Sequence, residues 1–158
     1  MSELKIRTAA EGDCALILSF IRELAEYENM LDEVVATQEL LREWLFEKQK
    51  AEVIIGEVDE KPVAFALFFH NFSTFLGRAG IYLEDLYVRP DKRGAGIGKK
   101  MLAHLARIAI ERGCGRLEWA CLDWNESGIA FYLSLGAKPL NGWTLYRVTG
   151  DTLRELAQ

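Results

Sequence analysis

The sequence predicts an α/β protein (in the α+β arrangement) with a mixed central sheet flanked by helices. Two observations predict this fold. Stretches in which apolar residues recur with the helical period alternate with stretches in which every second residue is apolar, and some strand-like runs are apolar enough to be covered on both faces. With 158 residues, half of them hydrophobic, and no repeat or linker, we expect one domain spanning residues 1–158.

The first part of the chain predicts a short strand and then two helices. Residues 4–9 form the strand, and residues 13–30 form a helix with Asp13 as a plausible N-cap. The apolar stripe of this helix comprises Leu16, Phe20 and Leu24. Residues 37–49 form the second helix, capped by Thr37. Its buried side is predicted to comprise Leu40, Leu41, Trp44 and Leu45.

Apolar residues then occur at every second position, which predicts a hairpin of strands joined by the turn Asp-Glu-Lys-Pro. Glycines mark the ends of the two helices that follow. The predicted elements are strands at 51–58, 63–72 and 79–88, a helix at 98–113 ending at Gly113, a strand at 116–123, a helix at 125–136 ending at Gly136, and a last strand at 142–150.

The charge and the cysteine content of the chain limit the classes of function that it can have. The net charge of −5 argues against nucleic acid as the main partner, because phosphate binding needs a surplus of Lys and Arg. The N-terminus has no signal pattern and no apolar run reaches the length of a membrane span, so we expect a cytoplasmic protein without a membrane partner. Neither the two histidines nor the three cysteines have metal-site spacing, and we expect reduced, mostly buried thiols at Cys14, Cys114 and Cys121.

The stretch EDLYVRPDKRGAGIGKKML combines a glycine-rich turn with a helix that begins directly after it. It is not a nucleotide-triphosphate P-loop, because three residues instead of four separate Gly94 from the Gly-Lys pair, and Lys100 replaces the hydroxyl. The dinucleotide fingerprint also fails. Glycines, a helix N-terminus and the charges of Arg93, Lys99 and Lys100 instead predict a pyrophosphate cradle that needs no metal. A plain strand-to-helix turn is the alternative.

Two acids lie inside the apolar run that precedes this turn. Adjacent residues on a strand point to opposite faces, so Glu84 and Asp85 are not expected to do the same job. A carboxylate there is costly unless it is hydrogen-bonded, paired or solvated, and an edge strand or a wet bulge would also explain it. By pattern alone Tyr132 is a core aromatic, and Cys121 is a core thiol rather than a nucleophile.

These residues match a known family. Arg93-x-x-Gly96-x-Gly98 resembles the acetyl-CoA pyrophosphate signature of the GNAT N-acetyltransferases, whose element order is also that of this chain. Further segments resemble the spermidine/spermine (diamine) acetyltransferases, and among them most closely the thialysine-acetylating type. These segments are ELAEYE, IYLEDLYV, RGAGIGKK, LDWNESGIAFYLSLGA and GWTLYRV.

The resemblance implies an acetyl-CoA-dependent N-acetyltransferase that acts on a small primary amine by direct attack and releases CoA. It implies Glu84 as the base, through ordered water, and Tyr132 as the acid that protonates the departing thiolate. The implied contacts to the amine come from Tyr27, Glu28, Phe75, Glu84 and Asp85. The implied contacts to the cofactor come from Leu86, Tyr87, Val88, Arg93, Gly94, Ala95, Gly96, Ile97, Gly98, Lys99, Asn125 and Ser127.

The resemblance also implies a homodimer with the C-terminal strands at its interface. Polyamine-specific members carry an extra acid where this chain has Ser73, which favours a short diamine or lysine analogue over spermine. Asn125 has the alternative role of an N-cap. Two other functions stay open at this point: acetylation of a protein or peptide, and non-catalytic sensing of an acyl-CoA or amine.

Overall fold

The structure, a computed structural model, describes residues 3–158. It contains two compact units, of which the first ends at Ala120 and the second begins at Cys121. Among the described residues, no helix is both long and apolar enough to cross a membrane. The prediction of a single domain over 1–158 stays a prediction.

The first unit is built on one five-stranded sheet. Its strands are β1 (Leu4–Thr8), β2 (Glu52–Val58), β3 (Lys61–Ser73), β4 (Arg78–Val88) and β5 (Leu117–Trp119). They lie in the order β1-β2-β3-β4-β5, with three antiparallel pairings and one parallel pairing, between β4 and β5. The predicted mixed sheet is therefore confirmed, although β5 is shorter than the predicted 116–123.

Residues 3–158 also form five α-helices. They are α1 (Cys14–Tyr27), α2 (Gln38–Leu41), α3 (Ile97–Glu111), α4 (Glu126–Ser134) and α5 (Gly150–Leu156), and α2 continues as a π-helical turn, Arg42–Glu47. Short 3-10 turns occur at Glu11–Asp13, Leu31–Glu33 and Pro90–Lys92. Gly113 and Gly136 follow α3 and α4 in the left-handed conformation, and each helix end is closed by the predicted glycine.

Helices cover both faces of the sheet. On one face, Phe20 of α1 stacks on Phe65 of β3, with ring centroids 5.2 Å apart, inside a buried cluster that includes Ile55. Because side chains alternate along a strand, Gly56 belongs to the other face. There the sulfur of Met101 on α3 lies 3.2 Å from where a Cβ at Gly56 would be. The predicted arrangement of helices flanking the sheet is confirmed.

The predicted last strand, residues 142–150, is wrong. Residues 142–149 do not form a strand, and helix α5 begins at Gly150. Alternating apolar residues stabilise a strand only if a neighbouring strand supplies backbone partners, and this segment has none in the part of the chain that the structure describes. Trp143, Leu145 and Tyr146 are accordingly more than 80% exposed.

The second predicted helix is correct in place but wrong in part of its buried side. Thr37 caps it as predicted, accepting a hydrogen bond from the Leu40 N–H at 3.1 Å. Leu45 is buried, whereas Leu40 and Trp44 are 44% and 46% exposed. The π-helical turn is wider than an α-helix, so the four-residue stripe used for the prediction loses its phase. Trp44 instead lies under the Lys48 ammonium at 4.1 Å.

Two smaller expectations are also corrected. Asp13 occupies the N-cap position of α1, but its carboxylate accepts both Arg7 guanidinium N–H groups at 2.8 and 2.9 Å and the Ala10 N–H at 2.7 Å. It therefore joins β1 to the start of α1 rather than capping the helix. In the part of the chain that the structure describes, none of the three cysteines forms a disulfide, but only Cys14 is buried, whereas Cys114 and Cys121 are half-buried.

Candidate active site

The glycine turn has the backbone that an anion cradle requires. Helix α3 begins at Ile97, and Gly94 and Gly96 before it have φ of +85° and +80°. Nothing lies within 4 Å of a Cβ built at either glycine, so the surface above the turn is open. The positive φ, and not crowding, is therefore the reason that these positions favour glycine. The first N–H groups of an α-helix have no intrahelical partner, and the exposed Lys99 adds positive charge. These residues fit a pyrophosphate group.

Arg93 does more than add charge to this turn. Its Nε donates a hydrogen bond to the Val88 carbonyl at 2.9 Å, at the end of β4. Its guanidinium carbon lies 4.8 Å from the ring centroid of Tyr27 and 5.4 Å from that of Tyr87. Arg93 therefore links the glycine turn to the ends of α1 and β4.

Strand β4 is bulged at Glu84. Leu67 of β3 pairs with Asp85, and Phe68 pairs with Leu83, so Glu84 is an additional residue without a partner on β3. The bulge, one of the two alternatives that the sequence left open for these acids, is present in the structure, with Glu84 exposed and Asp85 half-buried. Glu84 and Asp85 therefore need not point to opposite faces of the sheet, as predicted from the sequence, because a bulge interrupts the alternation of side chains.

The bulge coincides with the end of the β5 pairing. In the described chain, β5 pairs with β4 only over residues 81–83, and no strand pairs with that edge of β4 beyond Leu83. Backbone groups of β4 beyond the bulge can therefore hydrogen-bond a ligand. The predicted cofactor contacts Leu86 and Val88 lie on this segment, as does Tyr87, whose side chain is buried.

Three carboxylates, Glu28, Glu84 and Asp85, form an acidic cluster. The pKa of Asp85 is raised to about 7, mainly by burial and also by the charges of Glu84 and Glu28. Burial also raises the pKa of Glu28. Within residues 3–158 none of the three forms an ion pair. Like charges gathered without a cation favour either protonation or binding of a cationic ligand.

The end of α1 fixes the position of Glu28. Asn29 has a φ of +60° and follows the helix in the left-handed conformation. The N–H groups of Met30 and Asn29 donate to the carbonyls of Ala25 and Glu26 at 2.8 and 3.1 Å. This is a Schellman ending with asparagine in the usual glycine position, and it closes the helix directly after Glu28.

Sequence reasoning missed the contact that holds α1 to the end of β4. Arg89 donates from Nε and Nη2 to Glu23 at 3.2 and 3.0 Å, and from Nη1 to the Pro62 carbonyl at 2.9 Å. The Tyr87 hydroxyl donates to the same Glu23 at 3.3 Å. Glu23 had the helical position of an ordinary solvated residue, so no sequence signal distinguished it.

The second unit carries the remaining predicted residues. Asn125 caps α4, because its side-chain oxygen accepts the Gly128 N–H at 3.1 Å and the Ser127 hydroxyl at 3.3 Å. The N-cap alternative for Asn125 is therefore confirmed, and its cofactor role stays a prediction. Tyr132 is half-buried on α4, with its ring centroid 5.4 Å from that of Phe131.

The structure does not bring Phe75 to the acidic cluster. Phe75 lies fully exposed in the turn between β3 and β4, whereas Glu84 is six residues along β4 from Arg78, about 20 Å at roughly 3.3 Å per residue. Ser73, the last residue of β3, is buried, and its hydroxyl accepts the Leu76 N–H of this turn at 3.1 Å. Ser73 therefore closes the turn and is not a side chain that faces the cluster.

Comparison with known proteins gives consistent results. Residues 18–137 match the family described as the acetyltransferase (GNAT) family. The chain is 41% identical to the thialysine N-epsilon-acetyltransferase of Bos taurus, covering 99% of each protein. It is 37% identical to the spermidine/spermine N(1)-acetyltransferase-like protein 1 of Homo sapiens, covering 99% of this chain and 24% of that protein.

A solved structure confirms the fold. An integron cassette protein from the mobile metagenome of V. cholerae superimposes with a TM-score of 0.82 at 29% identity, covering 98% of each chain. The fold class and the resemblance derived from the sequence are both confirmed.

Proposed function

Because the chain belongs to the GNAT family and is an N-acetyltransferase, we propose that it moves an acetyl group from acetyl-CoA to the primary amine of a small diamine or lysine analogue. The acidic cluster carries this proposal. Three carboxylates around an open bulge suit a ligand with one or two ammonium groups. The names of the relatives, which refer to thialysine and to spermidine or spermine, point to the same substrate class.

The glycine turn is the proposed site for the pyrophosphate of the cofactor. Residues 94–99 would hold it through backbone N–H groups and the Lys99 charge, and backbone groups of Leu86 and Val88 would receive the pantetheine arm. The side chains or backbone of Tyr87, Asn125 and Ser127 are proposed as further contacts, by resemblance. Bound acetyl-CoA would supply an activated acetyl thioester that the amine attacks directly, without an acyl-enzyme.

The acids make the amine a nucleophile. An amine with a pKa near 10 is protonated at neutral pH, and removing its proton costs about 4 kcal/mol. Glu84 is proposed to accept this proton through water, since it is exposed on the bulge. Asp85 and Glu28 would hold the positive charge of the acceptor, with Tyr27 next to Glu28. The Tyr132 hydroxyl is proposed to return a proton to the departing sulfur.

We also propose a homodimer in the cytoplasm, on the resemblance described above. The exposed apolar side chains of residues 142–148 would suit a subunit interface. A contact between Phe75 and the amine would then require the partner subunit, because Phe75 is remote from the acids of its own chain. Sedimentation equilibrium with the purified chain tests the dimer, and a monomer at micromolar concentration would contradict it.

An amine panel tests the proposed function. CoA release from acetyl-CoA is followed with a thiol reagent in the presence of thialysine, lysine, putrescine, spermidine, spermine or a lysine peptide. We expect the highest kcat/KM for a short amine. Preference for the peptide would support protein acetylation, and cofactor binding without turnover of any amine would support a sensor. Preference for spermine would contradict the short-amine proposal.

A further inference from the structure

Arg93 contacts two segments that carry different parts of the proposed site. At the end of β4 its Nε donates to the Val88 carbonyl at 2.9 Å. At the end of α1 its guanidinium stacks on Tyr27, the last residue of that helix, at 4.8 Å. A planar guanidinium can donate along its edge while its face contacts a ring, which a lysine ammonium cannot do.

A second arginine makes the matching contact one helical turn earlier. Arg89 binds Glu23, and Arg93 stacks on Tyr27, so two arginines four residues apart contact two α1 residues that are also four apart. Residues four apart share one face of a helix. Tyr87 connects the two contacts, because its hydroxyl donates to Glu23 and its ring lies 5.4 Å from Arg93. The last two turns of α1 are thus fixed to the end of β4.

From this geometry we propose that Arg93 is a positioning residue for the amine acceptor. By holding Tyr27, Arg93 fixes the end of α1 at which Glu28 joins the acidic cluster. Arg93 acts through Tyr27 and does not itself touch the amine, whose positive charge it would repel. This inference rests on the proposed function, since it assigns Glu28 and Tyr27 to the amine site.

The inference differs from the role that the sequence motif suggests for Arg93, a charge on the pyrophosphate. A pyrophosphate contact affects the cofactor, so its loss raises the KM for acetyl-CoA. A positioning role affects the amine, so its loss raises the KM for the amine. S-acetyl-pantetheine, which lacks the pyrophosphate and the nucleotide, separates the two roles, because with this donor only the positioning role persists.

The kinetic test compares Arg93→Ala and Arg93→Lys with Lys92→Ala, a matched change at the neighbouring basic residue. We expect both Arg93 variants to raise the KM for the amine by about five- to tenfold, with a change below about twofold in the KM for acetyl-CoA. The same increase is expected with S-acetyl-pantetheine, and Lys92→Ala is expected to match wild type. A rise confined to the KM for acetyl-CoA, and absent with S-acetyl-pantetheine, would overturn the inference.

A second measurement needs no turnover and therefore separates failure of this inference from failure of the proposed function. Amide hydrogen exchange reports the bonds that close α1, in which the N–H groups of Glu28, Asn29 and Met30 donate to the preceding turn. We expect Arg93→Ala and Tyr27→Leu to accelerate exchange at these amides by about fivefold or more. Lys92→Ala is expected to preserve protection. Unchanged exchange in Arg93→Ala would refute the positioning role even if no amine were acetylated.

Discussion

Asp85 of β4 pairs with Leu67 of β3, and the next pairing of β3 skips one residue of β4, which leaves Glu84 unpaired. The β5 ladder also ends at Leu83, directly before the bulge. In the described chain, the acid proposed as base therefore lies where β4 pairs with neither β3 nor β5. Such a position leaves a carboxylate accessible to a ligand although the flanking strand is apolar.

The burial of Asp85 predicts a pH-dependent cost to folding. Its pKa is raised from 3.8 to about 7, so between these values the folded protein binds more protons than the unfolded chain. Stability contributed by this group is therefore greatest at low pH and is lost as pH rises toward 7. We expect Asp85→Asn to stabilise the protein by about 2–4 kcal/mol at pH 8, and by less than half of that at pH 5.

Urea unfolding at the two pH values measures this effect. Asp32→Asn is the matched control, because Asp32 is exposed and its charge is not among those that raise the pKa of Asp85. Its replacement should change the free energy of unfolding by less than about 0.5 kcal/mol. Equal stability of Asp85→Asn and wild type at pH 8 would mean that the Asp85 carboxylate is not destabilised by its surroundings.

The same group predicts how amine binding depends on pH. Asp85 attracts an ammonium group only when it is ionised, and its pKa of about 7 makes it increasingly protonated below neutrality. We expect the KM for the amine to rise by about tenfold for each pH unit well below the pKa of the free enzyme. Steady-state kinetics from pH 5.5 to 8.5 measures this slope, and Asp85→Asn should flatten it. A KM that stays constant over this range in wild type would contradict the role of Asp85.

The conformation of the glycine turn predicts that two Gly→Ala substitutions differ in their effect on CoA binding. Gly96→Ala places an L side chain at φ +80°, which costs about 1–2 kcal/mol, and it disturbs the backbone N–H groups proposed to bind the pyrophosphate. We expect weaker CoA binding in calorimetry, by about tenfold or more. Gly12→Ala is the control, because Gly12 has no left-handed φ and nothing lies within 4 Å of its Cβ position. If both variants bind CoA as wild type does, Gly96 has no part in the cradle.

The contact between Arg89 and Glu23 predicts a structural cost. Both side chains are about 31% exposed, and Arg89 also donates to the Pro62 carbonyl. We expect Arg89→Ala to lower the free energy of unfolding by about 1–3 kcal/mol, because three hydrogen bonds of a charged group are lost. Arg154→Ala, which breaks the far more exposed pair with Asp151, should cost less than about 0.5 kcal/mol. Equal losses in chemical denaturation would show that burial of the Arg89 pair contributes nothing.

Local signals in the sequence predicted local structure well. Thr37 and the glycines at 113 and 136 were found because caps and helix stops depend on one or two residues. The mixed sheet followed from periodicity. The strand predicted at 142–150 failed because a strand requires a partner, which its own residues do not specify.

The site was predicted in composition more than in geometry. The run Leu-Glu-Asp-Leu does not reveal which residue is additional, since a bulge is defined by the register of β3 against β4. Arg93 was identified through its motif, but its contacts with Tyr27 and Val88 join segments distant in sequence. Such contacts depend on tertiary packing, which no motif spacing encodes.

The most direct test of the central claim is the pH profile of kcat for Glu84→Gln with thialysine as acceptor. If Glu84 accepts the proton of the amine, the variant should lose roughly 100-fold or more in kcat at pH 7. Its activity should then rise with pH toward the pKa of the amine, near 10, because the acceptor deprotonates in solution without the base. A variant with wild-type kcat at pH 7 would contradict the account, since the bulge carboxylate would then have no part in activating the amine.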